Sequence, residues 1–241
     1  ALFPHDVIRS FNNGNASVAE QQWKALPNFA GVKNVLPVVD VSGSMSGCAV
    51  SGSITAMDIA TGLGLYISEK QNSAFKNLIM TFSHTPELFK LTGKSTYENY
   101  RLIQSAPWGM NTNIQATFDK ILSFAKMNNI PQEDMPEILL IISDMEFDSC
   151  ASKQTNYEVV KSKFVDAGYT LPKIVFWNVS ARNKQFPVTT KDEQTALISG
   201  YSPAICKAVL DGATDNFSPS QVMIQTLMNP RYDVVSEAIN F

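Results

Sequence analysis

Residues 35–44 read Val35-Leu36-Pro37-Val38-Val39-Asp40-Val41-Ser42-Gly43-Ser44. The apolar, valine-rich first half predicts a strand covered on both faces. The abrupt change to Asp, Ser, Gly and Ser predicts that this strand runs out into a turn. Pro37 removes one ladder donor from it, a tension that the flanking valines outweigh. At the strand's end a carboxylate and two hydroxyls stand at alternate positions, and a glycine-rich turn lets all three aim at one point. Oxygen donors without sulfur or imidazole suit Mg²⁺, Mn²⁺ or Ca²⁺ and suit zinc poorly.

Downstream, Ser46 to Ser53 reads as a small-residue loop. Ile54 to Lys70 reads as a helix whose apolar face carries Met57, Ala60, Leu63 and Ile67. Gly62 and Gly64 each cost that helix roughly 1 kcal/mol against alanine and imply close packing on the sheet. Asn77 to Phe82 and Glu87 to Lys90 read as a hairpin around Ser83-His84-Thr85-Pro86. Helices follow from Tyr97 to Ser105 and from Ile114 to Met127, separated by Trp108-Gly109-Met110-Asn111-Thr112-Asn113. The continuous apolar run Ile138 to Ile142 predicts a central parallel strand, and it too ends abruptly, in Ser143-Asp144-Met145-Glu146-Phe147-Asp148. A helix over 153–167, a strand from Lys173 to Trp177 and a weaker strand from Ala196 to Ser199 continue the alternation. Helices from Pro203 to Leu210 and from Pro219 to Met228 close it, the last with Ser218 as N-cap and proline first.

Strands alternating with helices predict an α/β fold: a doubly wound, mostly parallel, Rossmann-like sheet with helices on both faces and one antiparallel edge strand. Residues 31–241 make up this domain. Residues 1–30 read as a helical appendage packed on it, with helices from Pro4 to Phe11 and Ala16 to Leu26 anchored by Trp23 and Leu26. In such sheets ligands bind beyond the carboxyl ends of the strands, where strand order reverses. With the common order 3-2-1-4-5-6, the strands ending in Asp40 and Asp144 are neighbours, and the Thr112 loop leads into the helix before the second of them. Three oxygen-bearing loops then converge on one crevice.

Composition bounds the rest. The 241 residues are 44% apolar, ample for a core on both sides of a sheet. The net charge of -3, with 19 basic residues spread without a run, gives no general attraction to nucleic acid or anionic membrane. Cys48, Cys150 and Cys206 are odd in number and lack C-x-x-C spacing. That disfavours a disulfide framework or zinc knuckle and fits a reducing, intracellular, cytoplasmic setting. No stretch approaches the ~20 apolar residues that span a bilayer. There is no signal-peptide pattern, and a start at Ala1 suits a processed product or an excised part of a larger polypeptide.

Asp40-Val41-Ser42-Gly43-Ser44, then Thr112, then Asp144, resembles the metal-ion-dependent adhesion site of a von Willebrand factor A domain, over about residues 30 to 215. More narrowly, the Trp108 to Asn113 and Ser143 to Asp148 segments and Ile174-Val175-Phe176-Trp177-Asn178 resemble a domain-of-unknown-function subfamily with a von Willebrand-like core. Its members occur in plants, fungi and large DNA viruses and are distantly similar to the corresponding domain of the Ro ribonucleoprotein family. The resemblance implies that Ser42, Ser44 and Thr112 meet a divalent ion through hydroxyls, directly or through water. It implies that Asp40 and Asp144 stand behind them, through bridging waters and hydrogen bonds. An Mg²⁺ ion so held keeps few anionic ligands and takes a carboxylate from a partner protein as its last ligand, a binding event with no chemical step.

Each residue also has a plainer role open to it. Ser42, Gly43 and Ser44 suit an ordinary strand-to-helix turn. Thr112 or Asn111 suits the N-cap of the helix from Ile114. Glu146 and Asp148 read as solvated loop acids that could recruit a second cation. Asp58 reads as a surface or capping charge, Cys48 and Cys150 as small loop residues near the crevice, His84 as a hairpin-turn residue and His5 as a terminal one. A metal-dependent phosphohydrolase of the haloacid-dehalogenase kind needs a second acid where Ser42 stands. A G-x-S-x-G elbow would put Met45 at the nucleophile, and no P-loop occurs. Membership of an RNA-associated, Ro-like complex is the remaining alternative, and the acidic balance argues against direct RNA contact.

Overall fold

The valines of residues 35–39 do form a strand, and in this computed structural model it lies at the middle of the sheet. The structure describes residues 2–27, 33–47, 49–51, 53–81, 84–106, 113–144, 157–180 and 195–200. Two N-terminal helices, α1 (Pro4–Asn12) and α2 (Ala16–Lys24), precede β1 (Val35–Val39). A short helix α3 (Gly43–Gly47), a ribbon of β2 (Ala49–Ser51) and β3 (Ile54–Thr55), and the long helix α4 (Ala56–Lys70) follow. The hairpin β4 (Leu78–Thr81) and β5 (Leu88–Lys90) leads into α5 (Thr96–Ser105) and α6 (Ile114–Met127). Last come β6 (Ile138–Ser143), α7 (Tyr157–Asp166), β7 (Lys173–Asn178) and β8 (Thr195–Ser199). The helices expected beyond residue 202 lie outside the described residues.

Among the described residues the large sheet has six strands, in the order β5-β4-β1-β6-β7-β8. All pairs are parallel except β4 with β5, so the doubly wound arrangement and its antiparallel edge are as the alternation predicts. Side chains alternate between two cores, as a period of two requires. Val39, Ile142 and Trp177 face the side covered by α4 and the N-terminal helices. Val38, Ile141 and Phe176 face α6 and α7.

Pro37 is tolerated at a definite cost. All of Val35–Val39 register with β6, but only Val38 and Val39 register with β4. The Asp40 N–H donates to Ile142 O at 3.0 Å, so alternate N–H groups of β1 face β6 and the donor missing at Pro37 falls on the β4 side.

The loop expected over Ser46 to Ser53 is instead the end of α3 plus the ribbon, and α4 starts at Ala56 rather than Ile54. A capping box sets that start. Asp58 N–H donates to Thr55 Oγ1 at 3.1 Å, and Thr55 N–H donates back to Asp58 Oδ2 at 3.0 Å. Asp58 is therefore a buried capping residue and no surface charge. Helix α4 is buried nearly all round, well beyond the stripe of Met57, Ala60, Leu63 and Ile67, because α1 covers the side that the sheet does not. Val7, Ile8, Phe11, Trp23 and Leu26 share one apolar cluster with β1 and α4. His5 is 4% exposed and stacks on Phe3, so it is a core residue and not a loose terminal one.

Candidate metal centre

Asp40 follows β1 directly and is 2% exposed. Both of its carboxylate oxygens accept hydrogen bonds. Oδ1 takes the Ser42 backbone N–H at 2.8 Å, which closes the turn, and Oδ2 takes the Ser143 hydroxyl at 2.6 Å. Burial pushes the Asp40 carboxyl above the usual aspartate range; the bonds from Ser143 and Ser42 pull it back, and the charge of Asp144 pushes it up again.

The turn presents its two hydroxyls side by side, with Ser42 Oγ 3.1 Å from Ser44 Oγ. Met45, fully buried, pins α3 to the core beneath them. Gly43 proves less special than its position suggests. Its φ is not positive, and a methyl there would meet no atom of the described residues within 4 Å. The Asp40 side chain, rather than glycine freedom, bends this turn.

On the neighbouring strand Asp144 follows β6 and is also 2% exposed. The structure thus brings together Asp40, Ser42, Ser44 and Asp144. Thr112, Glu146, Asp148 and the three cysteines lie outside the described residues. The N-cap of α6 is Asn113, whose Oδ1 accepts from Ala116 N–H at 3.0 Å. That corrects the expectation of Thr112 or Asn111 in the role.

Two polar groups at this edge are additions to the motif. Ser143, the last residue of β6, holds Asp40. Asn178-Val179-Ser180, at the end of β7, repeats the Asp40-Val41-Ser42 turn, with Ser180 N–H donating to Asn178 Oδ1 at 2.8 Å. The register Ser143↔Asn178 sets the two turns on either side of β6. The matching Asp-Val-Ser and Asn-Val-Ser triplets, each after an apolar run, were the signal available in the sequence.

The residues present fit a hard divalent cation. Asp40 and Asp144 are carboxylates buried on adjacent strand ends, where a cation would offset the repulsion between two acids. Two octahedral ligands at the 2.0–2.1 Å distances of Mg²⁺ stand about 2.9 Å apart, near the 3.1 Å separation of the serine hydroxyls. Among the described residues no three His, Cys, Asp or Glu side chains form a cage.

Residues 34–232 match the family described as domain of unknown function DUF7788. The chain belongs to that family. This DUF7788 chain is 30% identical over 250 residues to uncharacterized protein L728 of Acanthamoeba polyphaga mimivirus, covering 98% of itself and 42% of the viral protein. It therefore spans about two fifths of that relative's length. Among solved structures, the Ro (RSR) protein of Deinococcus radiodurans superposes with a TM-score of 0.52 at 15% identity, over 82% of this chain and 37% of that one. This likeness shows the fold alone, a Rossmann-like, mostly parallel sheet flanked by helices. Proximal thread matrix protein 1 of the mussel byssus gives a TM-score of 0.45 at 12% identity, over 77% of this chain and 48% of that one. No described helix of the DUF7788 chain is long and apolar enough to cross a membrane.

Proposed function

We propose that the edge formed by the ends of β1 and β6 is a divalent-cation site through which this domain binds a carboxylate of a partner protein, making and breaking no covalent bond. The observation that carries this reading is the pair of serine hydroxyls, 3.1 Å apart, backed by Asp40 and Asp144 on adjoining strands. Ser42, Ser44 and Thr112 would hold Mg²⁺, or Mn²⁺ or Ca²⁺, through hydroxyls. The two acids would balance its charge from behind, Asp40 with both oxygens already taken by protein donors. When bound, the ion supplies an electrophilic position that an incoming carboxylate completes. The cysteine usage supports a reducing, intracellular setting for this binding.

Thermal unfolding with and without millimolar Mg²⁺ or Mn²⁺ tests the site. At a hundredfold excess over Kd, mass action adds about 2.7 kcal/mol, which raises the midpoint by about 5–10 °C for a chain of this size. Asp144→Ala should abolish that rise. A wild-type midpoint that ignores both metals would remove the basis of the proposal. The partner is sought by metal-dependent capture, with Asp40→Ala as the control.

A further inference from the structure

We infer that Ser143 is a positioning residue for the cation site: its hydroxyl fixes the Asp40 carboxylate so that the Ser42–Ser44 turn is already formed when the ion arrives. The inference rests on the cation-binding reading and assigns a residue outside the Asp-x-Ser-x-Ser, Thr and Asp set.

The geometry is specific. The Ser143 hydroxyl donates to Asp40 Oδ2 at 2.6 Å between residues 1% and 2% exposed, the length of a charge-assisted O–H···O⁻ bond. The other oxygen, Oδ1, receives the Ser42 N–H. With one donor on each oxygen, the plane of the carboxylate is fixed, and with it the backbone of the turn that carries both serine hydroxyls. Ser143 is itself held on both sides. Asp40 N–H donates to Ile142 O at 3.0 Å, and Val179 N–H donates to Ser143 O at 3.1 Å. The second of those bonds comes from the Asn178-Val179-Ser180 turn, so β7 contributes to the posture of a residue on β1 through Ser143. An apolar residue would continue Ile138 to Ile142 more naturally. It would also leave Oδ2 buried without this donor, the situation in which a carboxylate turns toward whatever else it can reach. Partners that orient a ligand set from behind it typically account for about 10- to 100-fold in metal affinity.

The test is Mn²⁺ binding by calorimetric titration of the full chain, alongside its metal-free unfolding midpoint. Ser143→Ala should weaken Mn²⁺ at least about tenfold, Ser143→Thr should restore it, and Ser143→Ala should add nothing in an Asp40→Asn background, because the hydroxyl acts through that carboxylate. A general folding role would lower the metal-free midpoint without separating Ala from Thr in Mn²⁺ affinity. If Ser143→Ala does not fold, Ser143→Cys keeps the volume with a weak donor and should still lose affinity. Wild type that binds Mn²⁺ while Ser143→Ala, or Ser143→Cys in its place, binds within about twofold overturns this inference alone. Wild type that binds no metal overturns the site itself.

Discussion

A methyl group added at Gly64 would lie 2.2 Å from Val39 Cγ2, and one at Gly62 would lie 2.9 Å from the His5 backbone nitrogen. These two glycines serve different neighbours. Gly64 lets α4 settle on β1, one residue before Asp40, and Gly62 lets α1 settle on α4. Gly64→Ala should destabilise the chain by about 1–3 kcal/mol, as overpacking does, read from the urea midpoint. It should also weaken cation binding, because the displaced valine abuts the site. Sequence shows that the helix packs closely somewhere, but a glycine names no partner, and only the fold separates the two contacts. The same limit hid Ser143. A serine ending an apolar run reads as a turn residue, and its bond to a carboxylate 103 positions away has no local trace.

Between elements, the clasp joining α2, α4 and α5 is Glu69. It accepts from Trp23 Nε1 at 2.8 Å and from Asn99 Nδ2 at 3.1 Å. Burial raises its carboxyl above the ordinary 4.5; bonds from Trp23 and Asn99 and the charge of Lys70 pull it back, while Glu20 raises it further. The native state therefore holds this proton more tightly than the unfolded chain does, and stability falls as pH rises from about 4.5 through the raised value. Glu69→Gln carries no such proton. Urea denaturation at steps from about pH 4 to about pH 8 should show the variant gaining on wild type across that window and the difference levelling off above it. A constant difference would mean that Glu69 titrates alike in both states. Trp23 was legible as an anchor from its size and setting, but its polar partner was not. The ribbon of β2 and β3 has no signature in the sequence, because small, mixed residues over Ser46 to Ser53 carry no period-two pattern.

Across the whole molecule, the strand order was the most legible property. Alternating elements, short connections and a hairpin with no helix between its strands leave few arrangements of a doubly wound sheet. That order alone puts Asp40 beside Asp144, so the pairing of the two acids is legible from topology. The Asn178 turn did not, because a repeat of three residues is too short to stand out.

Pro37 has one more consequence, in how the sheet comes apart. With a donor missing on the β4 side and only Val38 and Val39 in register there, the sheet carries a seam between its hairpin edge and its parallel body. Hydrogen exchange should report it. Amides of β4 and β5 should exchange together, at a lower opening free energy than those of β6 and β7. Pro37→Val, which supplies the absent N–H, should slow exchange in β4 while leaving β7 unchanged. Equal protection on both sides of β1 would show the sheet opening as one unit. With a seam, the hairpin edge can detach while β1 and β6, the two strands that hold the acids, stay paired.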